Sequence, residues 1–197
     1  MSKTYIKATM ETDLKAYHAF ACCCHLTREN LNELGVSNRR IQGHLSDEHW
    51  KTKNVWDNSS KSVKEFFIPT KNGAKFMGEK IDMKFNDFYK SQSPNHDIAL
   101  YKVYSECEHK KEWITENQWR DRMEYEIERL RDSNNDRATE LEDSLRNHSL
   151  SSPDGGYMKD GQAYAIEILT CSYSNNQIEA KIDFCEVIGA EQEFYRI

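Results

Sequence analysis

Between residues 27 and 69 apolar positions at helical spacing give way to two strand-like runs. Residues 28–34 place Leu31 and Leu34 at helical spacing, and Thr27 ahead of them is a candidate N-cap. Gly35 follows, the residue type that most readily takes the left-handed turn ending one helix before the next begins. Residues 37–45 repeat the helical period, with Val36, Ile41 and Leu45 as apolar anchors. Residues 50–56 and 63–68 read as strands flanking a polar tip at residues 57–61, rich in turn-forming Asp, Asn and Ser.

That order of elements predicts a winged helix-turn-helix, whose second helix lies in the major groove of a duplex. Asn38, Arg39, Arg40, Gln42 and His44 are of the kinds that read base edges and phosphates, so they are the expected duplex-facing residues. Lys51, Lys53, Lys61 and Lys64 are expected to touch phosphates from the hairpin. Residues 70–76 resemble the Thr-x-x-Gly-Lys segment that follows the wing in many bacterial winged-helix regulators, with Lys75 two positions after Gly73. Winged helices also serve as protein-docking modules, a second reading of the same pattern. Pairing on DNA half-sites would make the protein a homodimer. The apolar residues of 96–104 and the region of Trp113 are candidates either for that dimer surface or for core.

Charge separates the two halves. Residues 1–90 hold 15 Lys and Arg against 11 Asp and Glu, whereas residues 91–197 hold 12 against 22. Only the first half suits a polyanion; the second is expected to bind cations, contact a host or element-encoded protein, or face away from a duplex. Residues 1–10 lack an apolar core and no apolar run approaches the roughly 18 residues of a membrane span, so a cytoplasmic protein with no membrane partner is expected. The six cysteines form no CxxC pair. His18, Cys22 and His25 have helical spacing for zinc but lack a fourth ligand, and reduced buried thiols are the alternative account.

Residues 91–95, short, polar and broken by Pro94, mark the expected boundary between a DNA-binding domain at 1–90 and a second domain at 96–197. Helical patterns cover residues 96–106 and 114–130, and the all-polar residues 131–137 are expected to form a mobile loop. No P-loop, GxGxxG or GxSxG is present. Residues 153–157, Pro-Asp-Gly-Gly-Tyr, lead into a hairpin whose second strand, residues 162–170, is largely apolar and hence central. Asp154 and Glu167 are placed to meet at one end of that sheet, where two carboxylates hold a divalent cation such as Mg2+. The other reading is that Glu167 pairs with a nearby Lys, Arg or backbone donor.

Pro-Asp, a hairpin, an acid in an apolar strand and then a helix together resemble the PD-(D/E)XK nuclease-like superfamily. The resemblance implies Asp154, Glu167, Lys181 and Glu116 as catalytic residues, with Asp154 and Glu167 as metal ligands. Leu169 stands where that superfamily places its lysine, so Lys181 on the following helix would supply it, and Glu116 corresponds to the additional helix acid. With the winged-helix pattern, His96-Asp97-Ile98 and Thr115-Glu116, residues 10–190 resemble the replication-relaxation proteins of Gram-positive plasmids and related mobile elements. The implied fold is α+β and α/β in two domains, a winged helix-turn-helix followed by a mixed sheet flanked by helices. Three functions follow. One is a DNA-binding transcription regulator or replication accessory of a plasmid, phage or integrative element, its nuclease-like domain inactive. The others are a Mg2+-dependent endonuclease and an anti-defence protein acting through protein contacts.

Overall fold

The computed structural model describes residues 4–57 and 61–197. It is a mixed α+β protein with two sheets, and by compactness the chain divides into residues 1–106 and 107–197. Among the described residues no helix is long and apolar enough to cross a membrane.

The first unit opens with α1 (Glu11–Cys23), α2 (Arg28–Glu33) and α3 (Asn38–Ser46). Thr27 caps α2 by accepting from Asn30 N, and Ser37 caps α3 by accepting from Arg40 N. Gly35 sits between them at φ +84, a conformation that L side chains rarely adopt. Strands β1 (Trp50–Asp57) and β2 (Ser62–Pro69) form an antiparallel hairpin, Trp50 opposite Pro69 and Trp56 opposite Val63. Of the polar tip expected at residues 57–61, residues 58–60 lie outside the described residues. Leu26 bridges Phe67 of β2, adding a single-residue third strand to the base of the hairpin. The chain continues through α4 (Lys71–Ile81), capped by Thr70, to α5 (Pro94–Glu106). Tyr17, Phe20, Leu31, Ile41, Trp50, Phe67, Met77 and Leu100 are the buried core.

Helix α5 belongs to this first unit and packs on α1, so the boundary falls after Glu106 rather than at residues 91–95. The reason is its apolar side: His96, Leu100, Tyr101 and Tyr104 are buried. Those residues, and the buried Trp113 of the second unit, are core and so do not offer the dimer surface considered above.

The second unit contains a four-stranded sheet in the order β3-β4-β5-β6. Its strands are β3 (Trp113–Thr115), β4 (Gly155–Lys159), β5 (Gln162–Leu169) and β6 (Ala190–Arg196). The first three pair antiparallel, and β6 lies parallel to β5 after the crossover helix α8 (Asn175–Ile188). Between β3 and β4 run α6 (Glu116–Arg131) and α7 (Asn135–Arg146). The loop expected at residues 131–137 is therefore only the break between two helices. Ala138 and Leu141, one turn apart, bury a stripe of α7 that lets a polar segment fold. Trp119, Met123, Ile127, Leu141 and Phe184 fill the core beside the sheet. A Cβ on Gly156 would collide with the Tyr164 carbonyl and the Trp119 ring, so β4 carries glycine where helix and neighbouring strand close in.

Candidate functional site

Two groups of side chains in the first unit bear on the duplex-facing prediction. Asn38, Arg39 and Gln42 are exposed on α3, and the Asn38 side-chain carbonyl accepts from Arg28, which also pairs with Glu65 at 2.7 Å. Lys51, Lys53, Lys61 and Lys64 are exposed. Alternation along β1, with Val55 opposite Lys64, puts Lys51, Lys53 and Lys64 on one face of the hairpin.

Arg40 and His44 depart from the prediction. They lie one helical turn apart on the stripe next to Ile41, and that stripe faces α1. The Asp13 carboxylate, fully buried, accepts from Arg40 Nε at 2.9 Å, lies 3.1 Å from His44 Nε2 and accepts from Met10 N at 2.7 Å. His44 is itself fully buried and stacks on Trp50 with ring centroids 4.0 Å apart. Both residues are thus internal partners of Asp13. Burial alone would raise the Asp13 carboxyl, but hydrogen bonds from His44 and Arg40 overcome it and hold the group well below the usual range.

In the second unit the four residues singled out by the PD-(D/E)XK resemblance do converge. Asp154 precedes β4, Glu167 lies in β5, Lys181 in α8 and Glu116 at the start of α6; all four are buried. Glu167 Oε1 lies 2.9 Å from Lys181 Nζ and accepts from the Tyr173 hydroxyl at 2.7 Å. Glu167 Oε2 accepts from Asp154 N at 3.1 Å, and Asp154 Oδ2 accepts from Ile168 N at 2.8 Å. Lys181 also donates to Ser152 O at 2.6 Å. Glu116 is held by Arg120 and by the Ser152 hydroxyl, 3.4 Å away. Burial, with Asp154 adding to it and Lys181 opposing, pushes the Glu167 carboxyl above the usual carboxylate range; burial likewise raises Glu116.

This is an ion-pair network closed by protein donors. Both oxygens of Glu167 are engaged, and Lys181 supplies the positive charge that a divalent ion would otherwise bring. Mg2+ demands octahedral oxygen ligation and keeps several waters. The buried pair in this arrangement does not fit it. Among the described residues, the one group of three His, Cys, Asp or Glu residues close enough to share an ion is Cys24, His25 and Asp97. His18 is exposed on α1 and takes no part, because the helix ends at Cys23 and Cys24 turns at φ 62, carrying His25 off the helical spacing. The alternation of apolar and polar residues carries no sign of this turn, and the partner Asp97 lies far along the chain.

The negative charge of the second unit is partly neutralised along α6 and α7. Exposed pairs such as Arg131–Glu128, Arg137–Glu140 and Arg146–Asp143 are three residues apart, and Arg131 also reaches Glu142 across the two helices. Compared with protein-family models, with characterised proteins and with solved structures, the chain matches none.

Proposed function

We propose that the protein binds double-stranded DNA through its first unit, as a winged helix-turn-helix regulator or replication accessory of a mobile genetic element. The observation that carries this reading is one surface pattern. A capped helix ending a helix-turn-helix leaves Asn38, Arg39 and Gln42 outward, and the hairpin that follows presents Lys51, Lys53 and Lys64 on one face. Arginine reads guanine and Asn or Gln reads adenine in the major groove, while lysines neutralise phosphates. The link to a mobile element rests on the sequence resemblance to replication-relaxation proteins.

The test is fluorescence anisotropy with duplexes from the protein's own locus across a salt series. Arg39→Ala with Gln42→Ala is expected to weaken specific binding by about 1–3 kcal/mol per base contact and to flatten the preference for the cognate site. Lys51→Ala and Lys53→Ala should weaken all sequences alike, each lowering the salt slope by about one. Arg40 is unsuited to this test because its loss uncovers the buried Asp13. Unchanged affinity and slope in all these variants would remove the duplex-facing assignment.

A second reading, a PD-(D/E)XK-type nuclease, is favoured by the convergence of Asp154, Glu167, Lys181 and Glu116 at one end of a mixed sheet. The filled carboxylates argue that the arrangement is structural. Incubation with supercoiled and linear DNA in Mg2+ or Mn2+ is expected to give no cleavage, and neither ion should raise the melting temperature. Cleavage abolished by Asp154→Ala would establish the nuclease instead.

A further inference from the structure

We propose that Cys24, His25 and Asp97 form a binding site for a zinc-class divalent metal ion in the first unit, joining the end of α1 to α5. Three different donors, a thiol, an imidazole and a carboxylate, each offer one ligand atom, and those atoms lie within 4.8 Å of one another. Backbone geometry sets two of them. Cys24 leaves α1 at φ 62, His25 N donates to Cys23 O at 2.8 Å, and Leu26 is then pinned to Phe67 by two backbone hydrogen bonds of 3.1 and 2.8 Å. His25 is thereby held inward. Asp97, in the first turn of α5, supplies the third.

The group has coordinating capacity left over. His25 and Asp97 are 1% and 0% exposed, yet His25 Nε2 and Asp97 Oδ1 make no hydrogen bond. Asp97 Oδ1 lies on the carboxylate that faces the ring, and a buried polar atom without a partner is uncommon and calls for an explanation such as an ion. The existing bond, His25 Nδ1 to Asp97 Oδ2 at 2.7 Å, shows imidazole and carboxylate already facing each other. Ser91 Oγ lies 3.1 Å from the same nitrogen, and a water would complete the fourth position. Cys24 is only half-buried, which leaves a way in for the ion.

The donor set selects the class. Thiolate with imidazole and one carboxylate suits Zn2+ and its tetrahedral substitutes, whereas Mg2+ and Ca2+ prefer oxygen throughout. With metal–ligand bonds of about 2.0–2.3 Å, tetrahedral donors stand roughly 3.3–3.8 Å apart, so small inward movements and opening of the His25–Asp97 hydrogen bond close the site. Binding exchanges the Cys24 S–H bond for a metal–sulfur bond and releases the thiol proton to solvent. The site is independent of the DNA-binding reading.

The experiment uses the full chain, reduced and stripped with chelator, titrated with Co2+ and then Zn2+. One equivalent of Co2+ is expected to give visible bands of tetrahedral intensity and a near-ultraviolet thiolate-to-cobalt charge-transfer band, all bleached by one equivalent of Zn2+. Zn2+ should also raise the melting temperature, since only the folded chain assembles the three donors. Cys24→Ser should abolish the charge-transfer band and weaken Zn2+ binding by about tenfold or more, because even partners behind the ligands are worth roughly 10–100-fold. Cys22→Ser and Cys171→Ser should keep both. Asp97→Asn removes a buried charge and puts folding at risk, so the half-buried Cys24 carries the test. A wild-type chain without the charge-transfer band, or a band that survives Cys24→Ser, would overturn the site and leave a buried His–Asp pair beside a thiol.

Discussion

Replacing Asp13 with alanine is expected to remove about 3–5 kcal/mol of stability, the usual cost of breaking a buried pair by deleting one partner. Three groups lose their acceptor at once: the Arg40 guanidinium, His44 Nε2 and the Met10 N–H that starts α1. A domain of ordinary stability, about 5–15 kcal/mol, would be left marginal. Asp13→Asn keeps the volume and one acceptor, so it should cost less. The same carboxylate gives the wild type a pH signature. Its folded value lies below the ordinary 3.8, so its contribution is complete above that value and is lost as pH falls through the folded one. Urea melts of wild type and Asp13→Ala should therefore converge as the solution is acidified. Curves that stay parallel down to strongly acidic pH would show that the pair contributes nothing.

Lys181→Ala is the second large effect. The change strands Glu167, 2% exposed, beside Asp154 with no cation, and a loss of about 3–5 kcal/mol is expected in mild alkali, where the carboxyl is ionised. Here the sign reverses relative to Asp13. Burial raises the Glu167 carboxyl, so the folded chain keeps the proton to higher pH than the unfolded chain does. Stability from that group falls as pH rises from the ordinary 4.5 toward the folded value. Without Lys181 the folded value rises further, and the penalty of Lys181→Ala should be small in mild acid and full in mild alkali. Adding Glu167→Gln to Lys181→Met should recover most of the loss, since two uncharged groups need no mutual compensation. A double variant as unstable as Lys181→Ala would mean that packing, not charge, dominates.

Much of this was legible in the sequence, and the misses have physical causes. Caps and turns are local, so Thr27 and Gly35 mark the two ends of α2, and the strand-like runs on either side of a polar tip mark the hairpin. The approach of Asp154 to Glu167 follows from a turn leading into a hairpin, whereas only the PD-(D/E)XK resemblance points to Lys181 and Glu116. Arg40 and His44 misled because their side chains are polar; their helical spacing beside Ile41 already pointed inward, and only the buried Asp13 on α1, 27 residues before Arg40, could tell the two readings apart. Strands β3 and β6 escaped notice because β3 is short and β6, Ala-Glu-Gln-Glu-Phe-Tyr-Arg, is an edge strand with polar positions throughout. The Cys24 turn left no pattern at all.

The insertion of α6 and α7 between β3 and β4 has a kinetic consequence. Strands β4 and β5 meet across the tight Asp160–Gly161 turn, and β6 returns to β5 after one helix, so these contacts close over short loops. Pairing Trp113 with Tyr157 must wait for two helices to form and fold back, at a larger cost in loop entropy. During that interval the outer edge of β4 is bare, and it is the glycine-bearing strand with the least side-chain bulk to resist a foreign partner. Trp119, whose indole N–H donates to Gly155 O at 2.9 Å, reaches that strand from α6 and ties its start to the arriving helix. The vulnerable moment for this chain, when it is most prone to pair with another copy, thus lies late in folding, at the docking of β3.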